Sequence, residues 1–373
     1  MVGIRFLAVA LALACTTRAV AQGMGQPQDP RRTANIWAPA DPNRAAFLAA
    51  NCRQPLPAGE PVRGGARSGA PPPFLDVSAT EIPGVIAAGQ RWKVVWEEPG
   101  NGADGIVGFD DGSVWLAMTD TSEVERVDKN GKGSVVYTDT YTGSALAANS
   151  KGQVFVAERS LGNAVWMLRP QRRLFANTFH GEPFDCVGRF INDVLADSKG
   201  GLYMTMDGLY YINPKGAVLG PFGTVPGNGL MLSPDEKRFY ATGRLATDTA
   251  GRAAGDGIYN AGLVTYDVQA DGSLAHERQF AELCGDGLAI DAEGRVYCAL
   301  ARIPDPADPS KTIAGIGVIS PKGEVLGIIP QPRPLVTIAF GGPDKKTLFA
   351  AVSRPIQLIA IQMITQGNKK RPK

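Results

Sequence analysis

The chain has 373 residues, with 38 lysines and arginines against 36 aspartates and glutamates and a formal net charge of +2. That near balance argues against a strongly basic nucleic-acid groove, and no segment carries the unbroken apolar length that a transmembrane helix needs. The 45 glycines and 28 prolines favour many short strands joined by turns over long helices.

The N-terminus, MVGIRFLAVALALACTTRAVAQG, reads as a secretory leader. Arg5 is its charged region, Phe6 to Ala14 its apolar stretch, and Ala19-Val20-Ala21 its small-residue cleavage site. The expectation is cleavage after Ala21, removal of residues 1–21, and a periplasmic or secreted product. Cys15 offers a lipoprotein alternative, weakened by Ala12 at the position three before it. Residues 22–75 form a Pro- and Gly-rich extension. Within it, APADPNRAAFLAANC predicts one short helix, with Asp41 as N-cap and Pro42 at the first helical position. The basic end, GNKKRPK (367–373), reads as a solvated tail.

Between these ends, over residues 76–366, one pattern recurs six times: a polar residue, an apolar strand, a turn and a second apolar strand. The segments are ADGIVGFDDGSVWLAM, GSALAANSKGQVFVAE, INDVLADSKGGLYMTM, GNGLMLSPDEKRFYAT, GDGLAIDAEGRVYCAL and VTIAFGGPDKKTLFAAV. Further strand-like runs follow each of the first five, so a unit is four short strands, the blade of a propeller. The sixth unit lacks a fourth strand, whereas RWKVVWEE (91–98) precedes the first hairpin with no blade of its own. The predicted fold is therefore all-β, a six-bladed β-propeller with an N-terminal extension, its ring closed by an N-terminal strand. Closure also removes exposed sheet edges.

In such a ring the first strand of each blade lines the central channel, so the leading polar residues converge: Asp104, Ser144, Asn192, Asn228, Asp286 and Thr337. Two carboxylates and two amide oxygens suit a hard divalent cation. An Asp or Asn before Gly is also a common turn signal; the equivalent placement of four oxygen donors is what favours a metal site. Other chemistries have weaker support. The two histidines, His180 and His276, lie in no H-E-x-x-H, and G-x-S-x-G and phosphate-loop motifs are absent. The connections 243–262 and 301–312 are expected to rim the same face. Cys186 and Cys284 also precede leading residues there and are the expected disulfide; Cys298 reads as a buried free thiol.

INDVLADSKGGLYMT, NGLMLSPDEKRFYAT, GDGLAIDAEGRVY and AFGGPDKKTLF resemble the senescence-marker-protein/gluconolactonase/regucalcin-like family over roughly residues 78–366. The resemblance implies a six-bladed propeller holding one divalent metal through a glutamate, two asparagines and an aspartate. Those positions carry over to Asn192, Asn228 and Asp286; Asp104, one methylene shorter, stands where the family has glutamate. It further implies that Asp286 both ligates and serves as general base, that Arg189 contacts substrate, and that Glu158 matches a recurrent acid. Arg189 stands three positions before Asn192, one more than the family spacing. Ser144 and Thr337 complete the expected substrate contacts. The expected cofactor is calcium, with zinc, magnesium and manganese as alternatives. The expected function is hydrolysis of a sugar-type lactone by an exported, metal-dependent enzyme whose partner is a small-molecule lactone or sugar acid. The alternative is a non-catalytic metal- or ligand-binding propeller. A paraoxonase-like esterase fits less well, because histidines are scarce.

Overall fold

Six four-stranded antiparallel sheets are arranged as the blades of a β-propeller. The structure is a computed structural model that describes residues 42–54, 73–100, 102–188, 190–245, 262–304, 312–353 and 355–369. The inner strands are Ala103–Gly108, Ala145–Ala148, Val194–Ala196, Leu230–Leu232, Leu288–Ile290 and Thr337–Gly341. They are flanked on both faces by protein and so read as continuous apolar runs rather than alternating ones. Each turns back in a hairpin. In the fifth, Asp291 Oδ1 accepts from the backbone N–H groups of Glu293 and Arg295, and Gly294 adopts φ 82°. Glycine takes that left-handed conformation without the Cβ penalty.

The core lies between blades. Val107, Trp115 and Leu146 join blades 1 and 2, and Phe155, Val194 and Met204 join blades 2 and 3. Tyr203, Phe239 and Leu288 link blades 3 to 5, and Tyr297 with Phe340 links 5 to 6. Ile106 and Leu358 close the circuit between blades 1 and 6. Neighbouring blades thus bury each other's faces, and this holds the inner strands together around the channel.

Lys93–Glu98 supplies the outermost strand of the sixth blade, antiparallel to Ile356–Gln362, with Trp96 opposite Leu358 and Glu98 opposite Ile356. The ring closes as the unpaired strand in the sequence implied. The expected short helix is present at Pro42–Asn51, consistent with proline at its first position.

The cysteines pair differently from expectation. Cys186 is bonded to Cys52 and Cys284 to Cys298, so Cys186–Cys284 does not form and Cys298 is not a free thiol. Cys186 precedes blade 3 and Cys284 precedes blade 5, with blade 4 between them; a shared face does not make them neighbours. Cys298 lies opposite Leu288 in the blade-5 hairpin, which puts it beside the chain entering that blade, with its Cα 5.2 Å from that of Cys284. The residue after the Pro42–Asn51 helix reaches the short helix Phe184–Val187, and an ion pair between Arg53 and Glu182 at 2.8 Å supports the contact. The leader 1–21 with Cys15, most of the extension, the last four residues and much of the 243–262 and 301–312 connections lie outside the described residues. Among the described residues no helix is long and apolar enough to cross a membrane.

Candidate metal centre

Asp104, Asn192, Asn228, Asp286 and Thr337 line one small cavity at the mouth of the channel. Its volume of about 10 Å³ is that of a single water-sized sphere. Each of the five stands within two residues of the start of an inner strand, so the ring itself performs the convergence.

The glycines that follow three of these residues test the alternative that they are ordinary turns. Gly105, Gly229 and Gly287 do not adopt left-handed backbone. Instead, a Cβ on each would strike the neighbouring inner strand, at Ala145, Asp286 and Thr337 respectively. The Asp-Gly and Asn-Gly pairs here are sites of close strand approach, not turns. Backbone ties cross the same seams: Gly105 N–H donates to Ser144 O and Gly287 N–H to Val336 O. Threonines at the ends of second strands hold the polar residues in place. Thr242 Oγ1 accepts from the N–H groups of Asn228 and Gly229, both at 3.0 Å, and Thr205 Oγ1 accepts from Asp193 N–H at 2.9 Å.

Two residues that sequence reasoning missed belong to this site. Asp193 lines the cavity, and its Oδ2 accepts from Leu230 N–H at 3.0 Å, tying blade 3 to blade 4. Arg159, whose side chain is 5% exposed, reaches in from the end of Val154–Glu158. Its guanidinium pairs with Asp104 Oδ2 at 2.7 Å and donates to Asn192 Oδ1 at 2.8 Å, to the Asn192 carbonyl and to Ile191 O. A strand-end arginine is usually solvated. The only sequence signal was its place beside Glu158, on the face where the polar residues meet.

The side chains form a continuous chain of hydrogen bonds. Arg159 bridges Asp104 and Asn192, Asn192 Nδ2 donates to Asn228 Oδ1 at 2.7 Å, and Asn228 hydrogen-bonds Asp286. The Asp286 carboxyl touches the cavity but is enclosed by the walls of the ring. That enclosure, reinforced by the nearby carboxylates of Asp104 and Asp193, pushes it up to about 8, against the pull of Arg159 and Asn228.

The remaining expected contacts are placed less directly. Ser144 is fully buried beside the cavity, and its hydroxyl has no hydrogen-bond partner among the described residues. Glu158 is buried next to Arg159. Neither lines the cavity. Arg189 lies outside the described residues. His276 is on an outer strand with a largely exposed ring against Asp267.

The sequence profile of the SMP-30/Gluconolactonase/LRE-like region matches residues 134–354, more than half of the chain. The chain belongs to that family. The match takes in Asn192, Asn228, Asp286 and Thr337 and begins after Asp104. Among relatives, a gluconolactonase of Zymomonas mobilis is 26% identical over 297 residues, covering 76% of this chain and 67% of that protein. Solved structures share the fold. A gluconolactonase from Xanthomonas campestris gives a TM-score of 0.61 at 17% identity, over 79% of this chain and 98% of that one. Regucalcin from Agrobacterium tumefaciens, a calcium-binding protein, gives 0.56 at 18% identity, over 75% and 95%. At such identities these two likenesses show the fold alone.

Proposed function

We propose that the protein is an exported, metal-dependent lactonase that opens a sugar-type lactone at the channel mouth. Family membership supports lactonase activity at the level of the family. The observation that carries the finer reading is the convergence of Asp104, Asn192, Asn228 and Asp286 on a cavity of single-ion size. The donor chemistry fits a hard divalent ion, calcium first: two carboxylates and two amide oxygens, with a third carboxylate, Asp193, beside them. Asp104, Asn192, Asn228 and Asp286 are the residues that would hold it. When bound, such an ion supplies Lewis-acid polarisation of the lactone carbonyl and lowers the pKa of water.

Asp286 is the base of the reaction. It takes a proton from the attacking water as the new C–O bond forms, and the proton passes to the ring oxygen as the lactone C–O bond breaks. In metal-free protein, burial and the neighbouring carboxylates raise its proton affinity; a bound divalent ion would oppose that shift and favour the carboxylate form a base needs. Asn228, held by Thr242 through its backbone, orients Asp286 through the amide contact. Thr337 lines the cavity, where a threonine hydroxyl can hydrogen-bond a polyol substrate. Export is supported by the leader sequence and by two disulfides, a form of cross-link that persists in oxidising compartments.

The alternative of a metal- or ligand-binding propeller without turnover is favoured by one observation: Asp104 is already ion-paired to Arg159. Calorimetric titration of metal-stripped protein with calcium and then zinc, followed by a panel of sugar lactones, separates the two. One-to-one binding with metal-dependent hydrolysis is expected. Asn228→Ala and Asp286→Ala should abolish binding while far-UV circular dichroism stays unchanged. Parent-like metal binding in both variants would refute the site, and binding without turnover would select the alternative.

A further inference from the structure

Arg159 places a positive charge on two of the four residues expected to hold a cation. Its guanidinium makes four polar contacts: Asp104 Oδ2 at 2.7 Å, Asn192 Oδ1 at 2.8 Å, the Asn192 carbonyl, and Ile191 O at 2.9 Å. The Phe190 ring lies 5.3 Å from its central carbon, within the range of a cation–π contact. With only 5% of its side chain exposed, this arginine is held in one position by a planar donor fork that matches its acceptors.

Those contacts give Asp104 a counter-charge without a metal. A carboxylate facing a low-dielectric cavity needs a counter-charge, and Asp104 has one in Arg159. The amide of Asn192 is committed twice over, its oxygen to Arg159 and its nitrogen to Asn228. A divalent ion drawing on Asp104 Oδ2 and Asn192 Oδ1 would face the guanidinium across those same two oxygens, so like charges would meet at short range. At these two oxygens a metal would compete with the guanidinium.

We propose that Arg159 is the resident counter-cation of the channel mouth, and that divalent metal binds by displacing it from Asp104 and Asn192. This rests on the metal-dependent reading above and adds a determinant to it. The affinity for the ion is set by the strength of the arginine clasp as well as by the ligands. It follows that metal-free protein is held together at the mouth by Arg159, and metal-loaded protein by the ion.

Two quantities therefore move in opposite directions when Arg159 is replaced, which a merely structural role would not produce. Arg159→Met keeps the apolar stem and removes the charge. In calcium titration calorimetry it should bind at least about tenfold more tightly than the parent, the factor expected when one charge-assisted hydrogen bond is removed from the competing state. In EDTA, the same variant should melt at a lower temperature than the parent. Arg159→Lys keeps the charge but loses the fork, so its calcium affinity should fall between the two. Should Arg159→Met fail to fold by circular dichroism, Arg159→Lys decides by the same comparison. Calcium binding that is unchanged or weakened, in a parent that binds calcium, would overturn the proposal and leave the metal site standing. If neither parent nor variants bind calcium, zinc, magnesium or manganese, the metal reading fails and this proposal fails with it.

Discussion

Gly287→Ala puts one methyl group where blades 5 and 6 meet, immediately after Asp286. The added Cβ would lie 2.7 Å from Thr337 Oγ1, 2.8 Å from its Cα and 3.0 Å from its Cβ. Ordinary contact begins at 3.4 Å, so the backbone atoms are roughly 0.6 Å too close, and no side-chain rotation can move a Cα. Two effects oppose each other. Alanine restricts the unfolded chain and would stabilise by about 0.4–1 kcal/mol where the native backbone suits it, as it does here, because Gly287 is not left-handed. Overpacking against a fixed backbone costs about 1–3 kcal/mol. The clash wins, leaving a net loss of about 1–2 kcal/mol, or a melting temperature lower by about 2–3 °C for a domain of this size. Because any separation of the strands moves Asp286, calcium affinity should fall as well. Differential scanning calorimetry with and without calcium reads both. A melting temperature equal to or above the parent's would show that the inner strands do not approach this closely, and the argument for close-approach glycines would fail.

The remaining predictions concern cross-links and protons. The Cys52–Cys186 bridge spans 134 residues and the Cys284–Cys298 bridge 14. Loop-closure entropy assigns them about 5 and about 3 kcal/mol, so urea unfolding should show the greater loss for the paired serine replacement at 52 and 186; the reverse order would contradict the entropic account. Asp286 is raised from 3.8 in the reference state to about 8 in the fold. The folded protein therefore binds a proton that the unfolded chain has released between those two values, and its stability is full below the lower one and falls as pH rises toward the upper. Metal-free protein should accordingly melt lower at pH 8 than at pH 5. Asp286→Asn should flatten that dependence, and a slope unchanged in the variant would assign the effect to other groups.

Much of this was legible in the sequence because it is written in local periodicity. The hairpin from Gly285 to Leu300 repeats in six versions, and both its apolar strands and its turn depend on residues within a dozen positions of one another. The orphan strand at 93–98 and the incomplete sixth blade were visible as a mismatch whose one economical solution is closure. The register that brings Asp104, Asn192, Asn228 and Asp286 to one cavity follows from their equivalent places in equivalent blades. Pro42 marked the helix start because its fixed φ suits the first turn.

What the sequence could not determine depends on distances across the ring. Cys186 and Cys284 share a face, yet a blade stands between them; their real partners come from the helix end at Cys52 and from the opposite side of a hairpin at Cys298. Gly105, Gly229 and Gly287 look like turn glycines in a string of letters, and only the spacing of inner strands shows that they are there for room. Arg159 is the sharpest case. Nothing local distinguishes it from a solvated strand-end arginine; it enters the site because blade 2 carries it against Asp104 of blade 1 and Asn192 of blade 3. Short-range hydrogen bonding and apolar spacing specify the blades, whereas the angle at which blades pack decides which charges meet at the centre.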